Sequence, residues 1–381
     1  MSDFGELRSL VMGPRDELAW EKICALLDGF RPEQRAEYVP YVREHTKDWS
    51  ARARRNPVAW FERALSGEDV PELGLVGHLV LGGKRARRGA NLERLEKWVN
   101  PQEVRALEVR GPVVARGGLA RLFDGVLFEA EIESISVVRG ELGLAGLEAI
   151  MRSRQTRWLR ELSFSREQIG SWGARALAED ERAGQLESLT LRDIMLDANA
   201  IDYLLLSEVL RPVELCLEHI DMSACRSSWP QCTADVRRLR INHCNLGEMF
   251  VRESGLIDFL DQGREKLLEL ELEGNQITAF LLQGFASRGI CDELVSLSLA
   301  DNPIGDSGLR GLLRSLQDKC LERLNLDGCE LTDDGAVALA SCEHLGNLRE
   351  LSLRRNDIGE RGRRALRGSA VLREELWERG S

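Results

Sequence analysis

His219 and His243 lie in one stretch of chain with Cys216, Cys225, Cys232 and Cys244. Imidazole nitrogen and thiolate sulfur are the usual ligands of tetrahedral zinc, at about 2.0–2.3 Å. Zinc sites assembled from one stretch of chain carry ligand pairs at C-x-x-C-like spacing, and no such pair occurs here. Ordinary packing is therefore the favoured reading of these side chains, and no metal or cofactor is assigned. The other histidines are His45, His78 and His344. Cys342 and His344 stand two residues apart, which puts them on opposite sides of a turn. The chain has no nucleophile elbow, no phosphate-binding P-loop, no H-E-x-x-H and no G-x-G-x-x-G after a strand. No catalytic residue is assigned, and the chain is not expected to be an enzyme.

The second constellation is charge. Glu214 and Glu218 are followed by Arg237, Arg238 and Arg240, and these by Glu269, Glu271 and Glu273. Two readings are open. The strips pair with one another across strands, at about 0.2–1 kcal/mol per exposed pair, or they line a groove that recognises a protein. The basic runs Arg52 to Arg55 and Lys84 to Arg88 are short. A solvated patch suits them better than nucleic-acid binding.

The elements that position these residues follow from a repeated phrase. It reads LVSLSLADNPI from Leu294, LERLNLDGCEL from Leu321 and LRELSLRRNDI from Leu348, three evenly spaced starts. The apolar triplet behind it recurs from Val104, Ile132, Leu159, Leu186, Pro212, Val236 and Leu267, which makes ten units. Alternation within each triplet is a short strand with one face buried. Gly308, Leu309, Leu312, Leu313 and Leu316 then follow helical spacing, so a unit is strand, turn, helix. Such units stack into one elongated core. Eight residues after each start the later copies place Cys244, Asn275, Asn302, Cys329 and Asn356, a ladder whose side chains bond turn backbone groups. The earlier copies hold Pro112, Gly140, Glu167, Ile194 and Ile220 there, so those turns are expected to be built differently. The unit from Pro212 is shorter than the others; the next, from Val236, is longer and carries Glu248 to Val251. Such breaks in period often mark binding loops.

With the pattern L-x-x-L-x-L-x-x-N/C-x-L, the chain from Val104 to about Leu366 resembles the leucine-rich repeat proteins of the ribonuclease-inhibitor class. The resemblance implies an α/β horseshoe solenoid, its parallel sheet concave and its helices convex. It also implies a non-catalytic scaffold or adaptor for protein–protein interaction. A relative of this class activates a small GTPase, so regulation of a GTPase or another enzyme is the alternative.

Composition narrows the partner. The net charge is −11, with 52 basic and 63 acidic side chains. Residues 1–100 hold 17 and 16 of them, so the excess acid lies in the repeats. That argues against nucleic acid and towards a protein with a basic surface. Arginine outnumbers lysine 46 to 6, as in GC-rich bacterial genomes. No apolar run suggests a signal peptide or a membrane span, and the expected location is cytoplasmic. Residues 1–100 read as an all-α cap domain, faintly similar to repeat-companion domains through Pro14-Arg15-Asp16 and Arg35-Ala36-Glu37-Tyr38; residues 101–381 read as the repeats. Asp16 is expected to cap a helix, Pro40 to interrupt the next, Asn56-Pro57 to open a third, and Asn91 a fourth. Leu372, Leu376 and Trp377 are expected to close the far end.

Overall fold

Each L-x-L triplet makes a strand because alternate side chains of an extended chain point to opposite faces. The computed structural model describes residues 3–83, 91–114, 118–223, 235–246, 260, 267–316 and 320–372. It divides into two compact units, Met1–Ile169 and Gly170–Ser381. In the first, β1 (His78–Leu81), β2 (Ala106–Arg110), β3 (Ser134–Val138) and β4 (Glu161–Ser165) pair in parallel. In the second, β5 (Ser188–Arg192), β6 (Glu214–Glu218), β7 (Arg238–Asn242), β8 (Glu269–Glu271), β9 (Ser296–Ser298), β10 (Arg323–Asn325) and β11 (Glu350–Ser352) do the same.

Register is fixed by the buried column. Leu79, Leu107, Ile135 and Leu162 stack in the first unit. Leu189, Leu215, Leu239, Leu270, Leu297, Leu324 and Leu351 stack in the second, none more than 4% exposed. A slip of one residue would turn every such leucine to solvent. Each is worth about 1.5–3 kcal/mol when buried.

In the first unit the helices are α1 (Asp3–Val11), α2 (Glu17–Gly29), α3 (Pro32–Thr46), α4 (Val58–Ser66), α5 (Gly118–Asp124) and α6 (Gly143–Arg152). In the second they are α7 (Gly170–Glu179), α8 (Ala198–Leu205), α9 (Ala279–Ser287), α10 (Gly305–Ser315), α11 (Asp333–Ala340) and α12 (Glu360–Arg367). Each repeat helix buries one stripe, for example Leu309, Leu312 and Leu313 of α10.

The N-terminal helices are present as α1 to α4, but several details of residues 1–100 change. The all-α reading ends at His78–Leu81, which is a sheet strand in register with Ala106–Val109. Val76, Leu79 and Leu81 are the triplet of one more repeat, one period before Val104. Asp16 does cap α2, accepting Ala19 N–H at 2.8 Å. Helix α3 runs through Pro40 rather than stopping there. Asn56 is not the cap of α4; its amide accepts from Val80 N (2.6 Å) and donates to Val80 O (3.1 Å), closing the free edge of β1. From Asn91 the chain makes a 3-10 turn, Leu92–Lys97, rather than an α-helix. The run Lys84 to Arg88, Cys225, Cys232, Glu248 to Val251, Leu376 and Trp377 lie outside the described residues; Leu372 is buried. No helix among the described residues is long and apolar enough to cross a membrane.

Candidate protein-recognition face

One turn geometry presents the loops. Seven residues after each repeat start the backbone is left-handed: Gly111, Arg139 and Arg166 in the first unit, then Asp193, His219, His243, Gly274, Asp301, Gly328 and Arg355 in the second. Non-glycine residues enter this region at a cost, and in the later copies bonds made at the next position offset it. The ladder supplies them. Asn302, 1% exposed, accepts the N–H groups of Asn275 and Ile277, both at 2.9 Å. It donates to Leu272 O and Leu299 O at 2.8 Å and to Ala300 O at 3.1 Å. Asn356 repeats this on Cys329 N and Leu331 N, and Asn275 on Cys244 N. Cys244 and Cys329 donate their thiols to Leu217 O and Leu299 O. Burial pushes both thiols up to about 12, so they stay protonated. In the first unit Glu167 plays the asparagine's part, its Oε1 accepting Leu142 N–H at 2.7 Å and Gly143 N–H at 3.3 Å. Ile194 and Ile220 instead fill their turns as buried apolar plugs.

The charged residues meet as the register dictates. In the second unit Glu214, Arg238, Glu269, Ser296 and Arg323 form one outward row, and Cys216, Arg240, Glu271 and Ser298 the next. Arg238 pairs with Glu214. Arg240 Nε reaches Glu271 Oε1 at 2.9 Å. Arg323 reaches across the small Ser296 to Glu269 Oε1, also at 2.9 Å. Arg192 Nε binds Glu218 Oε2 at 2.5 Å. Glu273 accepts from Ser298 Oγ at 2.7 Å and from Asn325 Nδ2 at 3.5 Å. Of the eight candidates only Arg237 stands off this face: it precedes β7, exposed, and its backbone bridges Val213 O and Leu268 N. Arg323, Ser298 and Asn325 fall at outward strand positions by register, but their pairing with Glu269 and Glu273 was not anticipated, and Arg192 was missed. Register arithmetic finds Arg192; Arg323 needs the further rule that a long side chain crosses a short neighbour.

At the turns His219 and His243 stack face to face, ring centroids 4.9 Å apart and 8° from parallel. Asp193 Oδ1 lies 3.3 Å from His219 Nδ1. The His243 ring lies over Gly274, where a Cβ would collide with it. Parallel rings hold their nitrogens side by side rather than converging on one point. Among the described residues no three His, Cys, Asp or Glu side chains are grouped for a metal. Further along, Asp301 Oδ1 takes Arg355 Nη1 at 2.7 Å across Gly328, whose lack of a Cβ leaves the path open. From Glu218 to Asp334 the end of β6, the turns leaving β6 to β10 and the first turns of α10 and α11 together carry nine carboxylates and, among the described residues, no lysine or arginine.

A Leucine Rich repeat family model matches residues 294–313, 317–340 and 344–366. The fold is a leucine-rich repeat solenoid. Ribonuclease inhibitor of Sus scrofa is 28% identical over 409 residues, covering 92% of this chain and 88% of that protein. Ribonuclease inhibitor of Mus musculus is 45% identical over 76 residues, 19% of this chain and 17% of that one. Among solved structures, the yeast Rad7–Elc1 complex contains a similar chain at 16% identity and a TM-score of 0.49, covering 88% of this chain and 82% of that one.

Proposed function

We propose that the chain is a non-catalytic binding protein that captures a protein partner with a basic surface. Contact runs along the outward face of β6 to β10 and the turns leaving those strands. The observation that supports this most is the run of nine carboxylates with no lysine or arginine of its own among the described residues, beside a face whose arginines are mostly spent on its own glutamates. Of the nine, Glu218, Asp301, Asp333 and Asp334 are met by arginines of flanking repeats. Such a charge distribution steers a cationic partner and resists nucleic acid. The relatives are named for inhibiting ribonucleases, so a ribonuclease is the first partner class to try. The helices of residues 1–100 act as a cap, and the arginine-rich composition keeps a bacterial, cytoplasmic setting within this reading. The test is affinity capture from cytosol, with E273K/E330K, a charge reversal of two of the turn carboxylates, as the control. The reading expects wild type to retain a basic protein that the variant loses while its melting temperature stays near wild type. Equal capture by both rules the face out.

A further inference from the structure

A cavity of about 400 Å³ opens in the first unit between α2, the 53–58 loop and strands β1 and β2. That size lies within the range of small-molecule sites, about 300–1,000 Å³. One side is organised by a buried carboxylate. Glu108, 7% exposed, accepts Arg55 Nη2 at 2.5 Å on Oε2 and Arg110 Nε on Oε1. Two guanidiniums thus share one negative charge, and both line the cavity. His78 also approaches Glu108, at 3.6 Å, yet it does not form a charged pair. Burial pushes its pKa down to about 4, and Arg55, Arg52 and Arg110 offset the pull of Glu108. The local charge near neutral pH is therefore positive, with guanidinium donors beyond those spent on Glu108.

The opposite wall is acidic. Glu17 and Glu21 stand one turn apart on α2, and both line the cavity. Neither makes an ion pair among the described residues. Asp28 on the same wall is already engaged by Trp60 Nε1 at 2.8 Å and Arg63 Nη1 at 3.0 Å. The separation of the two walls is held by Trp20, whose indole N–H donates to Arg55 O at 2.8 Å, and by the Asn56 clasp on Val80.

We propose that this cavity binds a small zwitterion: a basic amino acid, free or at the C-terminus of a peptide. Its carboxylate meets the outward N–H groups of Arg55 and Arg110, and its side-chain cation meets Glu17 and Glu21. The test is calorimetric titration of the full chain with L-arginine, Nα-acetyl-L-arginine and agmatine. Saturable binding of the first two is expected, with agmatine, which lacks the carboxylate, at least tenfold weaker. Binding of acetyl-arginine as tight as L-arginine assigns the site to a peptide terminus, and a marked preference for L-arginine assigns it to the free amino acid. R110M and E21Q should each weaken binding at least tenfold with unchanged melting temperature; R110M leaves Arg55 on Glu108. No saturable heat with either carboxylate ligand, agmatine binding as well as arginine, or variants binding as wild type would each overturn the assignment.

Discussion

Replacing Asn302 by alanine probes the ladder at its most connected rung. The amide accepts two buried N–H groups, Asn275 and Ile277, and donates to three carbonyls. Of those carbonyls Ala300 O keeps a second donor, Gly274 N at 2.9 Å, and Leu299 O keeps the Cys329 thiol at 3.2 Å. The cost therefore falls mainly on the two orphaned N–H groups, at about 1–3 kcal/mol each, or roughly 2–6 kcal/mol in all. A typical total stability is about 5–15 kcal/mol, so the loss is a large share of it. Asn302→Cys should cost about half as much. At the equivalent rungs the cysteine sulfur both donates to a carbonyl and accepts a backbone N–H, as Cys329 accepts from Asn302 itself. Urea unfolding followed by circular dichroism reads both variants. A loss below about 1 kcal/mol for Asn302→Ala, or a cysteine variant worse than the alanine one, would refute the ladder as a source of stability.

Gly274→Ala meets a left-handed backbone, φ 62°, and the His243 ring. It should lower stability by about 1–3 kcal/mol, and adding His243→Ala should return the steric part; thermal melts of the single and double variants decide. His78 gives the acid limb. Its folded pKa near 4 lies below the ordinary histidine value of about 6.5. The unfolded chain thus binds a proton that the native state refuses, so stability falls as pH drops from about 6.5 to about 4. His78→Gln should flatten that window by roughly 2–4 kcal/mol in denaturant titrations at several pH values. R238E/R240E should cost no more than about 2 kcal/mol of stability, because the pairs with Glu214 and Glu271 are half-exposed; a larger drop in the urea midpoint would make those pairs structural rather than available for recognition.

The repeats were legible because a buried strand writes its period as leucines, and a ladder asparagine has no polar substitute but a thiol or a longer carboxylate. Glu167 does not read as a ladder residue for that reason: from the position that the consensus gives to asparagine or cysteine its longer side chain reaches Leu142 N–H, the equivalent of Ile277 N–H at the Asn302 rung, and then Gly143 N–H one residue further on. The repeat at Val76 was hidden by Gly82-Gly83 and the basic run after it, which read as loop. Asn56-Pro57 carries the usual signature of a helix start, yet tertiary context spends the amide on the edge of β1. The charged candidates were found because register follows from the leucines alone. Their partners were only half legible, since Arg323 bonds its neighbour Ser296 and also pairs two strands away with Glu269.

Site-specific photo-crosslinking tests the central claim most directly. One crosslinker replaces Asn325, on the outward face of β10, and another replaces Arg310, exposed on α10. Recognition through the sheet predicts a covalent adduct with a basic protein from position 325 and none from position 310. Adducts from the helix side alone would contradict it.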